Sequence, residues 1–217
     1  MTVRTAVYVD GFNLYYGALR RCRAGRWLDL KALAQRMLRA SHSIDRIVYC
    51  TALVKARDGN PGQPMRQQFY LRALRTIPCL VVTGRYVERS KRMPLSSHSG
   101  LIDQQGHPAR FANVIITEEK GSDVNLAAHL LMDGFQDRYD AAVVVSADTD
   151  LAEPVRMVRS VMRKRVIVLS PYEHLSKHLV KYASTWKHIT EADVLASQFP
   201  DVLYDQQGCF HRPSRWR

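Results

Sequence analysis

Cysteine is scarce in this sequence, and its few copies form no pattern. The 217 residues hold four, Cys22, Cys50, Cys79 and Cys209, widely spaced and without a CxxC pair. Reduced thiols in a cytoplasm fit that better than a disulfide framework or a zinc knuckle. Long apolar runs are absent too, and none approaches the roughly eighteen residues that cross a bilayer. Met1-Thr2-Val3-Arg4 leads into a short apolar stretch that reaches Asp10 at once, without the apolar core or cleavage site of a secretory signal. The expectation is a cytoplasmic protein with no membrane partner. Acidic residues are outnumbered, 20 Asp and Glu against 32 Lys and Arg, for a net charge of +12. Such an excess points to a polyanion, and nucleic acid is the commonest. What is present, 46% hydrophobic and 24% charged residues, rules out wholesale disorder.

The pattern along the chain is alternating. Arg4 to Val9 (RTAVYV) reads as a short buried strand that ends at Asp10-Gly11, with a helix expected over Leu14 to Arg21. Asp29 is placed to cap a helix over Leu30 to Arg39. Further strands are expected at Ile44–Val54, Leu80–Val87, Val114–Thr117, Ala141–Val145 and Val166–Leu169. Helices are expected at Met65–Thr76, at Ser122–Met132 with Ser122 as cap, from about Asp150, and at Tyr172–Tyr182. Arg57 to Pro64 is turn chemistry, and the stretch at about 88–110 reads as a polar insertion or hairpin. Strands alternating with helices predict an α/β fold of three layers around a mostly parallel sheet. The expected organisation is one domain over 1–204 and a loose basic tail over 205–217.

In open parallel sheets, ligands bind beyond the carboxyl ends of the strands. Asp10, Gly11 and Asn13 follow the first strand. Ser146, Asp148, Thr149 and Asp150 follow the AAVVV strand, and Lys120-Gly121-Ser122-Asp123 precedes a helix. An Asp at such a junction is most often only an N-cap, and Asp150 fits that description best. Glu118 and Glu119 read as solvated loop charges. Three acidic clusters converging at one sheet edge are a different matter. Carboxylates within several ångströms repel one another unless a cation compensates them. Hard oxygen donors suit Mg²⁺ or Mn²⁺, and such an ion in a basic surround makes chemical sense as a phosphodiesterase site.

Val9-Asp10-Gly11-Phe12-Asn13-Leu14-Tyr15, Lys120-Gly121-Ser122-Asp123 and Ser146-Ala147-Asp148-Thr149-Asp150 resemble, in order and spacing, the three motifs of NYN domains. These belong to the PIN-like nuclease superfamily, and the chain looks most like its bacterial LabA-like branch. Tyr49-Cys50-Thr51-Ala52 and the Gln67-to-Leu74 helix extend the resemblance over roughly residues 4–170. It departs from the family pattern at Ala147, commonly Gly, and at Leu151, commonly Phe. The resemblance implies a Rossmann-like sheet and Mg²⁺- or Mn²⁺-dependent cleavage of RNA. By position, Asp10, Asp123 and Asp148 look like metal ligands and Asp150 like a fourth, water-mediated carboxylate. Asn13 looks like a group orienting Asp10 or substrate, and Ser146 and Thr149 like supporting hydroxyls, with Lys120 beside them.

Basic residues supply a candidate RNA surface. Arg85, Arg89, Lys91 and Arg92 flank a strand with Tyr86 among them, and Arg66 stands at a helix start where it could face the scissile phosphate. A solvated edge is the plain alternative. Arg156, Arg159, Arg163, Lys164 and Arg165 read as an exposed helix face. His174 and His178 lack an HExxH pattern, His98 and His107 lie in the polar insertion, and His129 reads as a core histidine. The leading expectation is therefore a metal-dependent ribonuclease, with a homo-oligomer left open. The rival is an RNA-binding or regulatory module that uses the same rim without cutting. A haloacid-dehalogenase-like phosphatase needs a second Asp two residues after the first, where this chain has Phe12.

Overall fold

The computed structural model describes residues 2–56, 59–96, 100–102, 106–107 and 109–217. The turn expected at 57–64 and the insertion at 88–110 lie partly outside these residues, and His98 wholly. In chain order the first half contains β1 (Val3–Asp10), α1 (Gly11–Leu14), α2 (Leu30–Met37), β2 (His42–Ala52), α3 (Gln63–Leu74), β3 (Cys79–Pro94) and β4 (Phe111–Lys120). The second half contains α4 (Ser122–Phe135), β5 (Ala141–Val145), α5 (Ala152–Ser160), β6 (Arg165–Ser170), α6 (Lys177–Tyr182), β7 (Thr185–His188), α7 (Glu191–Leu195), β8 (Val202–Asp205) and β9 (Gly208–His211).

Among the described residues a seven-stranded sheet runs in the order β4-β3-β2-β1-β5-β6-β7. Every neighbouring pair is parallel except β3 and β4, which form an antiparallel edge hairpin. The central strands are continuous apolar runs because both faces are covered. Val7, Val9, Ile47, Tyr49 and Val143 pack on one face with Leu33 of α2 and Leu71 of α3. Ala6, Tyr8, Val48, Cys50 and Val144 pack on the other with Leu126 of α4 and Val155 of α5. This is the expected three-layer α/β architecture. Its β1–β5 centre aims two strand ends, Asp10 and Val145, at the same edge.

Four local readings are corrected. The helix expected from Leu14 begins at Gly11, because Asp10 Oδ1 accepts the backbone N–H groups of Phe12 at 3.1 Å and Asn13 at 2.9 Å. It then loosens into a π-helical turn over Tyr15–Leu19. Ser122 does not cap α4. Gly121 does, at φ 102°, a left-handed conformation open to glycine, while Glu119 Oε1 accepts the Ser122 N–H at 3.1 Å and its Oγ–H at 2.7 Å. Glu118 and Glu119 are residues of β4 rather than loop charges. Finally, residues 205–217 are no loose tail. Asp205 and the β8–β9 hairpin are clamped by Arg72, whose Nε and Nη2 each donate to the Asp205 carboxylate at 2.6 Å. Phe210 and Trp216 are buried against Trp27, with ring centroids 6.3 Å away in each case.

One buried charge lies away from the sheet edge. Asp133 of α4 accepts from Tyr8 Oη at 2.8 Å, from Arg46 Nε at 2.6 Å and from Arg138 Nη1 at 3.2 Å. Removing one partner of such a network strands the others, at a cost of about 3–5 kcal/mol. Asp133→Ala is therefore expected to lower the urea unfolding free energy by about that amount. An unchanged midpoint and slope would show that the network contributes nothing.

Candidate active site

Each carboxylate at the sheet edge is fixed by a local rule. Asp10 ends β1, is 4% exposed, and doubles as the N-cap of α1. Its second oxygen, Oδ2, accepts the Ser146 hydroxyl at 3.1 Å. The residue after it has to be glycine, since a Cβ there would lie 2.7 Å from the Tyr49 ring and 2.8 Å from the Cys50 carbonyl oxygen. Asp148 follows β5 and caps a short 3₁₀ turn, Oδ1 accepting the Asp150 N–H at 3.0 Å. Its own N–H donates to Ser146 Oγ at 3.1 Å, so one hydroxyl positions two carboxylates. Asn13 ties the two loops together by accepting the Ala147 N–H on Oδ1 at 2.9 Å. Asp123 arrives from the first turn of α4.

Oxygens of Asp10, Asp123 and Asp148 all lie within 4.8 Å of one another. Two oxygens on opposite sides of one hard cation are about 4–5 Å apart, so the donor set fits a single ion. Among the described residues no Lys or Arg is paired with any of the three. The electrostatics show the strain of that arrangement. Burial, then the neighbouring charges of Asp10 and Asp148, pushes the Asp123 carboxyl up to about 6. Burial also raises Asp10, against the hydrogen bonds from Asn13 and Ser146. Cys50, beneath the cluster, is pushed up to about 12 by burial and then by Asp10, which keeps it a neutral thiol.

The family model of the NYN domain matches residues 4–190. The chain belongs to the NYN domain family. It is 28% identical to the 6-hydroxy-3-succinoylpyridine 3-monooxygenase HspA of Pseudomonas putida (strain DSM 28022 / S16), over 99% of this chain and 75% of that protein. It is also similar in structure to a protein of unknown function from Vibrio parahaemolyticus RIMD 2210633. That likeness has a TM-score of 0.55 at 17% identity, covers 88% of this chain and 94% of the other, and shows the fold alone.

Around the NYN carboxylates the remaining candidate residues are scattered. Asp150 and Thr149 are exposed on the 3₁₀ turn, and Asp150 is not part of the three-carboxylate group. Lys120 is engaged elsewhere, its Nζ 3.0 Å from Glu118 Oε2, which also holds Arg89 at 3.1 Å. The basic stretch does not form one rim. Directly opposed residues of an antiparallel pair share a face, and faces alternate along the strand. Arg85 and Lys91 therefore share the face of Lys120, whereas Arg92 shares the face of Tyr86 and Glu119 and lies over the Phe111 ring at 4.7 Å. Arg66 sits on α3 in the wall of a cavity lined also by Gly11 and Phe12. Of the later basic group, Arg159, Arg163 and Arg165 are exposed as expected, while Arg156 pairs with Glu153 along its own helix, Arg159 also donates to the Ala183 carbonyl and Lys164 pairs with Asp137. His129 is only partly buried rather than in the core, and His174 and His178 are exposed, with His174 ahead of α6. Sequence reasoning missed Glu119 and Cys50 as neighbours of the cluster.

Proposed function

We propose that the chain is a metal-dependent ribonuclease that hydrolyses RNA phosphodiester bonds. The observation that carries this reading is the meeting of Asp10, Asp123 and Asp148 in an NYN domain with no Lys or Arg paired to them among the described residues. Their hard oxygens suit Mg²⁺ or Mn²⁺, which when bound supplies the Lewis acidity that polarises a phosphoryl oxygen and acidifies a water. The chain's own part is positioning. Ser146 and Asn13 lock the Asp10 and Asp148 loops in one geometry, so little reorganisation remains on binding. Asp150, exposed beside Asp148, is the proposed outer carboxylate that reaches the centre through water. Arg66 and Arg92, the latter on the hairpin face of Tyr86, are the proposed contacts to flanking phosphates in a cytoplasmic setting, whereas Arg85 and Lys91 lie on the opposite face.

The test is direct. Purified chain should cleave single-stranded or structured RNA with Mn²⁺ or Mg²⁺ and stop on chelation, and Mn²⁺ should bind calorimetrically in the absence of RNA. Salt-sensitive RNA binding without turnover in either metal would replace this reading with that of a binding module.

A further inference from the structure

Next to the carboxylates lies a cavity of about 240 Å³ that the cluster does not use. Gly11 and Phe12 bring α1 to it, Thr51 and Tyr49 bring β2, and Tyr86 and Glu88 bring the edge hairpin. Pockets for drug-sized ligands run to about 300–1,000 Å³, so this one suits a single ring system with a substituent. Its walls are rich in aromatic side chains. Phe12 and Tyr86 meet edge to face at 6.0 Å, as do Tyr49 and Tyr70, and the π-helical turn carries Tyr15 and Tyr16 into the lining. π-Turns inside helices often mark functional positions. Gln67 holds the wall in place by accepting the Val54 N–H at 2.8 Å and donating to the Ala52 carbonyl at 2.9 Å.

One corner of the cavity carries charge of a single sign. Arg66 and Arg26 line it, and Arg215, outside the lining, donates with Arg66 to the same neutral oxygen, Asn60 Oδ1. Among the described residues none of these three arginines forms a salt bridge. Burial lowers the Arg66 pKa, and the neighbouring charges of Arg215 and Arg26 add to it. Guanidinium groups gathered this way are suited to a phosphate or carboxylate, which they bind through paired, charge-assisted hydrogen bonds.

We propose that this cavity binds a planar aromatic ring carrying an anionic group, the ring among Phe12, Tyr15 and Tyr49 and the anion on Arg66, with Arg26 nearby in the lining. A nucleotide has that chemistry, and so does a free aromatic acid. Gly11 and Phe12 directly follow Asp10, which favours a nucleotide of the bound strand, its base in the cavity beside the scissile position. That source rests on the ribonuclease reading; the ring-and-anion site does not.

The experiment titrates the full chain, in chelator and therefore without divalent metal, with the four 5′-mononucleotides, uncharged nucleosides, inorganic phosphate and benzoate, following heat and tyrosine fluorescence. At least one mononucleotide is expected to bind more tightly than its nucleoside and than phosphate, because ring and anion are both recognised. Arg66→Gln should weaken it about tenfold or more and Arg66→Lys less, with thermal unfolding unchanged in both. Benzoate binding lost in Arg66→Gln, with no nucleotide bound, would uphold the site and overturn the strand as its source. Phosphate matching the mononucleotides, or Arg66→Gln binding them as wild type, would overturn the proposal even if RNA cleavage is intact. Nucleotide binding without any RNA cleavage would leave the cavity standing and remove the nuclease reading.

Discussion

Asp148→Asn is expected to lower metal-dependent RNA cleavage about a thousandfold or more under single-turnover conditions, while the fold survives. The substitution keeps shape and keeps an oxygen acceptor for the Asp150 N–H, so the 3₁₀ turn after β5 retains its cap. What it removes is one of three negative charges whose oxygens lie within 4.8 Å of each other. A Lewis-acid centre contributes several kcal/mol to transition-state charge stabilisation, and 1.36 kcal/mol is a factor of ten, so losing a ligand costs roughly three decades. Ser146→Ala is the graded companion. It deletes the hydroxyl that donates to Asp10 and accepts from the Asp148 N–H, yet leaves every carboxylate in place. Loss of a supporting group of this kind costs about 10–100-fold. Labelled single-stranded RNA with saturating Mn²⁺ gives both rates. Equal cleavage by Asp148→Asn and wild type would remove the three-aspartate centre from the mechanism.

How much of this was legible beforehand depends on how local the governing physics is. β1 and β5 were readable because strands buried on both faces must be continuous apolar runs, and the residue after each run then falls at the ligand-binding edge. Asp10, Asp123 and Asp148 followed from that rule and from their motifs. The supporting detail did not. The basic stretch at Arg85–Arg92 looked like one surface, but strand alternation sends Arg85 and Arg92 to opposite faces, and Glu118 draws off Arg89 and Lys120. The residues 205–217 looked loose because their strands are short and the partner that orders them, Trp27, is far away in sequence. Cavity walls are still less readable. Phe12, Tyr49, Tyr86 and Trp216 come from four separate elements, and no spacing rule links them.

The second large effect is a dependence of metal binding and stability on pH that runs opposite to that of an ordinary paired carboxylate. Asp123 titrates at about 6 in the fold against an ordinary 3.8, and Asp10 is shifted the same way. Between about pH 4 and pH 6 the folded state therefore holds a proton on Asp123 that the unfolded chain has already released. Protonated Asp123 favours the fold below about pH 4, and that contribution is lost as pH rises through about 6. Asp205, lowered to about 2 by its hydrogen bonds from Arg72, works in the other direction and in a lower window, its contribution being lost only as pH falls. A divalent ion reverses the Asp123 penalty by compensating the charges, and it competes with the same proton. At pH 5, one unit below the Asp123 value, Mn²⁺ affinity should be about tenfold weaker than at pH 7.5. Thermal unfolding should show it directly. At 100 times its dissociation constant a ligand adds about 2.7 kcal/mol, so saturating Mn²⁺ should raise the midpoint clearly at pH 7.5, and the same concentration should do less at pH 5. Asp123→Asn should be more stable than wild type at pH 7.5 without metal and should gain little from Mn²⁺. Equal Mn²⁺ stabilisation of wild type and Asp123→Asn at both pH values would mean that the ion binds elsewhere than at the carboxylate cluster.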